Sequence, residues 1–178
     1  QYDVEFSRLY PANIKFVVGR TGSLTKHKQV GYFDVEDNTK LAKVIHNHGF
    51  LFKEHNADYL IEQDIVLRKQ AGVDSLNIAP QLGTIHTTVL MILGKEFENE
   101  FDTFKKYVLE KEIWKKWITS EVTDDETKLL VSGHYFLNTD EAKQLLRKID
   151  MTQFNTVLKT TIFSLLDIYR KGLTNEHI

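Results

Sequence analysis

The sequence predicts an α/β fold: about three βα units from the closing part of a larger α/β barrel, followed by a helical C-terminal region. Three observations predict it. Short apolar runs at residues 14–18, 50–54 and 73–78 alternate with amphipathic stretches of about ten residues, the pattern of parallel strands joined by crossover helices. Polar residues collect where each run hands over to the next helix, the end at which α/β folds place their chemistry. After Pro80 the chain turns almost wholly helical, which leaves three strands with open edges unless further strands pair with them.

Each element follows from local chemistry. Residues 1–13 are polar and aromatic, and Pro11 closes this lead-in. Ile14-Lys15-Phe16-Val17-Val18 is a β-rich run that ends in the small-residue turn Gly19-Arg20-Thr21-Gly22-Ser23. The loop from Arg20 to Asp34, with Lys26, His27 and Lys28, is longer than the ~2 to 6 residues usual for a βα connection, which hints at function. Asp37 or Asn38 is expected to cap a helix to Asn47, with Leu41, Val44, Ile45 and His48 on one face. His46 and His48 fall in its last turn, where a helix C-terminus favours positive charge; a metal pair is the alternative.

Gly49 ends that helix, and the strand 50–54 follows. A helix over 61–70 points Ile61, Ile65 and Leu67 inward, and Gly72 is its natural C′ residue. The strand 73–78 comes next, then a helix starting at Thr84 or Thr87 and running to Asn99. Residues 101–117 read as one or two helices, with Thr123 and Asp124 as N-cap candidates after a break. The stretch 129–136 is ambiguous between helix and strand. Thr139 or Asp140 caps a helix to Ile149, and the last helix, 153–171, sets Phe154, Val157, Leu158, Ile162, Leu165, Leu166 and Tyr169 on one side. The domain division expected is 1–100 for the barrel units and 101–178 for a helical region packed on them.

Composition narrows the function classes. The net charge of -2 carries no electrostatic footprint for nucleic acid. With no cysteine, this chain has no disulfide, thiolate nucleophile or cysteine-based zinc site, and a cytoplasmic location fits that composition. No apolar run approaches the ~18 to 20 residues of a membrane span, so neither a membrane nor a nucleic-acid partner is expected. Gln1 stands where an initiator Met would, which suggests a chain that begins mid-protein or was processed.

Several segments carry a family resemblance in order and spacing. They are Phe16-Val17-Val18 with Gly22, Tyr32-Phe33-Asp34, Glu54-His55-Asn56-Ala57-Asp58-Tyr59, and Leu76-Asn77-Ile78-Ala79-Pro80-Gln81-Leu82. Together they resemble the C-terminal half of the GatZ/KbaZ-type accessory, non-catalytic subunit of class II D-tagatose-1,6-bisphosphate aldolase. That family carries VVQPG-type, EAHSTDY-type and KVGPALTF-type segments. Residues 14–93 carry the likeness, and 94–178 share only its general character, with Ser132-Gly133-His134-Tyr135 echoing a Ser-Gln-Tyr-Leu segment. The resemblance implies a TIM (β/α)8-type barrel, of which these strands are the sixth to eighth. It also implies sugar-phosphate (ketose phosphate) metabolism and a catalytic aldolase subunit as partner, with an oligomer or companion segment completing the fold. Two positions depart from the family. Lys53 stands two places before His55 where the family has Glu, and Asn77 replaces the lysine of the KVGP-type segment.

The candidate residues each have a plain structural role beside the functional one. His55 is the candidate acid/base and divalent-metal ligand (Zn or Mn), or else a hydrogen-bonded structural histidine. Asp58 either orients His55 as a second catalytic residue or caps the helix that follows. Tyr59 is expected to pack. Arg20, Gly22, Lys53, Asn77, Gln81 and Gly83 are the candidate substrate-binding residues. Arg20, with Thr21 and Lys26 nearby, offers a fork to phosphate, and Gln81, Gly83 and Thr84 sit at a helix start able to hold an anion. His86 and His134 have no partner in sequence, and Trp114 and Trp117 are expected to pack helices. Beside the accessory-subunit reading stand a metal-dependent sugar or sugar-phosphate epimerase and a non-enzymatic interaction module with a decayed sugar site.

Overall fold

A computed structural model describes residues 15–19, 21, 31–118 and 124–174. Its sheet comprises β1 (Phe16–Gly19), β2 (Leu51–Glu54) and β3 (Ser75–Leu76), all parallel and in the order β1-β2-β3. Between them run α1 (Val35–Asn47) and α2 (Glu62–Gln70). The chain then continues through α3 (Pro80–Gly94), α4 (Glu98–Glu110), α5 (Asp125–Ser132), α6 (Asp140–Leu146) and the long α7 (Met151–Thr174). Two short 3-10 turns, Ile113–Lys116 and Gly133–Phe136, flank α5. The fold is therefore a partial TIM-barrel-like arrangement, three βα units followed by a C-terminal helical extension.

Register explains which side chains face where. Val18, Lys53 and Ser75 lie side by side across the sheet, and Gly19, Glu54 and Leu76 form the next row. Alternation puts these rows on opposite faces. The second row faces the helices: Phe52 and Glu54 are buried, and a Cβ on Gly19 would lie 2.4 Å from the Phe52 ring and 2.9 Å from Leu41. Only glycine allows that approach of strand to helix layer. The first row has no such cover among the described residues, and Phe16 and Val18 stay 39% and 58% exposed.

Apolar side chains form three clusters. Ala42, Ile45, Phe52 and Val73 join α1 to the sheet. Ala57, Leu60, Ile65, Leu165 and Tyr169 join the loop after β2, α2 and α7. The largest unites Val89 and Leu90 of α3 with Phe101, Phe104 and Val108 of α4, then Leu129, Ala142, Leu145, Ile149 and Phe154. α3 thus belongs both to the sheet's neighbourhood and to the helical core, and α7 packs against α2 and α3 together.

Several boundaries differ from expectation for local reasons. The cap of α1 is Asp34, which accepts the Asp37 N–H at 2.9 Å; Asn38 is instead buried, its amide donating to the Asp34 and Thr21 carbonyls. β3 keeps only Ser75 and Leu76 in the ladder, because Asn77 O already accepts the Ala57 N–H at 2.9 Å from the loop that leaves β2. α3 starts at Pro80, four residues before Thr84: proline's fixed φ suits a first helical turn. Residues 129–136, ambiguous in sequence, are helical throughout. Of the three residues of α2 expected inward, Ile65 is buried, Leu67 is half-buried and Ile61 is exposed, and Arg68 points fully inward beside Ile65. His46 pairs with Asp74 (Nε2 to Oδ2 2.7 Å), whose carboxylate also accepts the Phe52 N–H. A specific acid just ahead of β3, rather than the helix end alone, holds that histidine. Other expectations hold: Gly49 and Gly72 take φ of +79° and +90° at the ends of α1 and α2, and Asp124 and Thr139 cap α5 and α6. Thr123 falls outside the described residues.

Candidate functional site at the strand ends

The polar rim at the C-terminal ends of β2 and β3 is the candidate site. Alternation from the buried Phe52 and Glu54 turns Lys53 toward the open face of the sheet, and His55 follows just beyond the strand. Asn77 lies just beyond β3, its N–H donating to the Glu54 carbonyl and its own carbonyl accepting the Ala57 N–H. His55 is exposed, and the Lys53 ammonium stands 6.0 Å from the centre of the Phe16 ring, within cation–π range. The rim thus carries a cation, an imidazole and a carboxamide close to the strand ends. Arg20, Gly22 and Lys26 lie outside the described residues.

On the helix side, Glu54 and Arg68 form a buried ion pair, 0% and 1% exposed, with Arg68 Nε donating to Glu54 Oε2 at 2.8 Å. Arg68 Nη1 also donates to the Asp64 carbonyl, and the guanidinium lies 4.4 Å from the centre of the Phe33 ring. Glu54 Oε1 and Arg68 Nη2 are buried without a hydrogen-bond partner among the described residues. Such a pair returns its desolvation cost only through good geometry. Arg68 was invisible as a core residue from sequence, although a glutamate inside an apolar strand is a signal that a buried cation must answer it.

Asp58 does not cap the helix that follows it. At the start of α2 the side chain reaching back is that of Asp64, which accepts the Ile61 N–H. Asp58 instead crosses to the start of α3, where its Oδ1 accepts the N–H groups of Ala79 (3.0 Å) and Gln81 (2.9 Å). The first turn of any helix has N–H groups without internal partners, and a carboxylate there also complements the helix dipole. Gln81 returns the contact, its Oε1 accepting the Tyr59 N–H at 2.7 Å. The loop after β2 and the start of α3 are therefore clasped in both directions. Asn56 and Tyr59, at φ of +60° and +61°, give that loop the bends it needs. Burial raises the Asp58 pKa; the Gln81 and Ala79 N–H groups and the nearby His55 pull it back down. Asp58 Oδ2 is buried with no hydrogen-bond partner among the described residues.

The remaining candidates at the helix start are held internally. Thr84 donates to the Gln81 carbonyl and sits 3.3 Å from the Tyr59 hydroxyl. A Cβ on Gly83 would meet the His134 ring at 2.6 Å, so that glycine makes room for a histidine. Burial lowers the pKa values of His86 and His134, and the His86 charge lowers His134 further. Trp114 donates to the Leu109 carbonyl and Trp117 stacks on Tyr135, both as packing groups.

Sequence reasoning noticed Tyr169 only as part of an apolar face. It is buried; its hydroxyl donates to the Ala57 carbonyl at 2.6 Å and accepts the Leu60 N–H at 3.4 Å. Burial pushes its pKa up to about 12. The missed signal was a tyrosine among Leu and Ile positions, since a buried phenol needs a partner.

Among the described residues no group of three or more His, Cys, Asp or Glu side chains comes together to hold a metal ion. Asp58 directs its carboxylate at the start of α3. His55 and Asp58 do not by themselves form the three- or four-ligand set a zinc site requires. No described helix is long and apolar enough to cross a membrane.

No protein-family model and no curated protein matches the chain. Among solved structures the chain is similar to a probable tagatose 6 phosphate kinase from Sinorhizobium meliloti 1021, with a TM-score of 0.69 at 15% sequence identity. The similarity covers 96% of this chain and 56% of that one. It shows the fold: this chain has the architecture of a little over half of a larger α/β protein.

Proposed function

We propose that the chain forms one wall of a barrel in sugar-phosphate metabolism, acting as an accessory subunit to a class II, zinc-dependent tagatose-bisphosphate aldolase. What supports the reading is the polar rim at the C-terminal ends of parallel strands, with Lys53 on the open face beside Phe16, the exposed His55 just beyond β2 and Asn77 just beyond β3, the end at which barrels of this type bind substrate. The name of the S. meliloti protein, with tagatose 6 phosphate in it, points to the same substrate class. In this reading Lys53 meets a phosphate or a polarised oxygen, Asn77 hydrogen-bonds a sugar hydroxyl, and His55 faces the reacting centre. Arg20 and Gly22 add backbone and guanidinium contacts to phosphate. Gln81 and Gly83 shape the start of α3 beneath it. Residues 1–100 supply the barrel units and 101–178 the packed helical region. Further parallel βα units outside this chain, from a companion segment or an oligomer, close the sheet over Phe16 and Val18, and the whole works in the cytoplasm.

The test is to mix the purified chain with a class II aldolase catalytic subunit and follow retro-aldol activity and its decay. The expected result is association and a longer-lived activity. A chain that neither binds the subunit nor prolongs its activity rules the reading out.

A second reading, a metal-dependent sugar-phosphate epimerase, draws on the exposure of His55 at the strand end. It requires the other metal ligands, for Zn or Mn, to come from outside the described residues, and Asp58 to act as a second catalytic group. Metal content and ketose-phosphate epimerisation distinguish it. Absence of both, with ketose-phosphate binding also absent, leaves the decayed-site module.

A further inference from the structure

The loop that carries His55 and Asp58 is held from 110 residues away. Tyr169 enters from α7 and places its hydroxyl between the Ala57 carbonyl, to which it donates at 2.6 Å, and the Leu60 N–H, which it accepts at 3.4 Å. Those two backbone groups bracket Asp58 and Tyr59, the residues that make the two-way clasp with Ala79 and Gln81. The loop has little regular structure of its own, and its two left-handed residues, Asn56 and Tyr59, favour other conformations when unsupported. The fit of α7 beneath it is close: Gly172, one turn beyond Tyr169, leaves room for Ile65 of α2, where a Cβ would lie 2.7 Å from that side chain. Leu165 and Tyr169 pack with Ala57, Leu60 and Ile65 in one buried cluster.

We infer that Tyr169 is a positioning residue for the candidate site, its hydroxyl bridging Ala57 and Leu60 so that the docking of α7 sets the geometry of the Asp58 rim. The inference rests on the proposed reading only in calling that rim a site; the mechanical coupling stands without any ligand. It makes the C-terminal helix part of the rim's support and gives α7 a means of tuning it.

The test compares Tyr169→Phe, which keeps the ring and removes the hydroxyl, with Leu129→Ala on α5, which weakens the helical core away from α7. Amide exchange at residues 57–60 and the carboxyl titration of Asp58, followed by carbon-detected NMR, are the readouts. In Tyr169→Phe the Leu60 amide should exchange at least about tenfold faster relative to core amides of α3 and α4, with the Asp58 pKa falling toward the ordinary carboxylate value. Leu129→Ala should lower overall stability and leave both readouts, relative to the core, where they were. Equal effects of the two variants, or no change at Leu60 and Asp58 in Tyr169→Phe, would overturn the inference. The unmodified chain gives an independent check. Leu60 should exchange through the same opening as the α7 amides, and exchange of Leu60 while α7 stays protected contradicts the coupling. None of these readouts needs a sugar phosphate or an aldolase, so failure here is separable from failure of the proposed function.

Discussion

Arg68 is the residue on which the helix side of the wall depends. Its partner Glu54 is wholly buried, so removing the guanidinium strands a carboxylate in the core. Arg68→Ala is expected to cost about 3–5 kcal/mol in urea unfolding, whereas the double change Glu54→Leu with Arg68→Met should recover most of it. Should the double variant be as unstable as the single one, the pair is contributing more than mutual neutralisation. Asp58 poses the same question at the rim. Asp58→Ala leaves the Ala79 and Gln81 N–H groups without their acceptor, and a loss of about 2 kcal/mol follows from the value of a helix-start acceptor. Asp58→Asn, which keeps one acceptor oxygen, should lose less than half of that. Equal losses in Asn and Ala would show that the charge, not the hydrogen bonding, matters. Both residues show where sequence stops being informative. The alternation of Lys53, Glu54 and His55 was legible, but which helix residue would meet Glu54, and which helix Asp58 would serve, depends on elements brought together by the tertiary fold.

At the scale of elements, α7 is the test of close packing. Alanine is a better helix former than glycine by about 1 kcal/mol, yet a Cβ at position 172 would lie 2.7 Å from Ile65 and 3.1 Å from the Glu62 carbonyl. Gly172→Ala is therefore expected to destabilise by about 1–3 kcal/mol, overpacking outweighing propensity. A rise in melting temperature would mean that α7 and α2 have room to separate. Tyr169 on the same helix adds a pH signature. Its folded pKa, about 12, lies above the ordinary 10.0, so its contribution is fully present below pH 10 and is lost as pH rises through 12. Urea midpoints measured across that window should fall, and Tyr169→Phe should flatten the fall; an unchanged slope in the variant contradicts the assignment. The long apolar stripe of α7 was plain in sequence because it repeats at helical spacing. The start of α3 was not, since Thr84 and Thr87 look like caps and only the reach of Asp58 across the rim shows why the helix begins at Pro80.

At the scale of the molecule, the organising fact is a parallel sheet covered on one face. α1 and α2 bury Phe52 and Glu54, while the opposite face presents Phe16 and Val18 beside Lys53. Parallel sheets are ordinarily buried on both faces, and the similar solved chain, of which this one spans 56%, has the length to supply such cover. Strand, helix and strand were readable from apolar periodicity alone, because each βα unit is a local pattern. The rim was readable only as a collection of polar residues, since its geometry comes from Gln81 and Tyr169, contacts with no signature in spacing. The most direct test of the central claim is an NMR titration of the isotope-labelled chain with a ketose bisphosphate at millimolar concentration. The account predicts shifts centred on Lys53, His55 and Asn77, reduced when the unphosphorylated ketose is used or when Lys53 is changed to Met. Signals of those three residues that stay still while others move, or no movement anywhere, would contradict it.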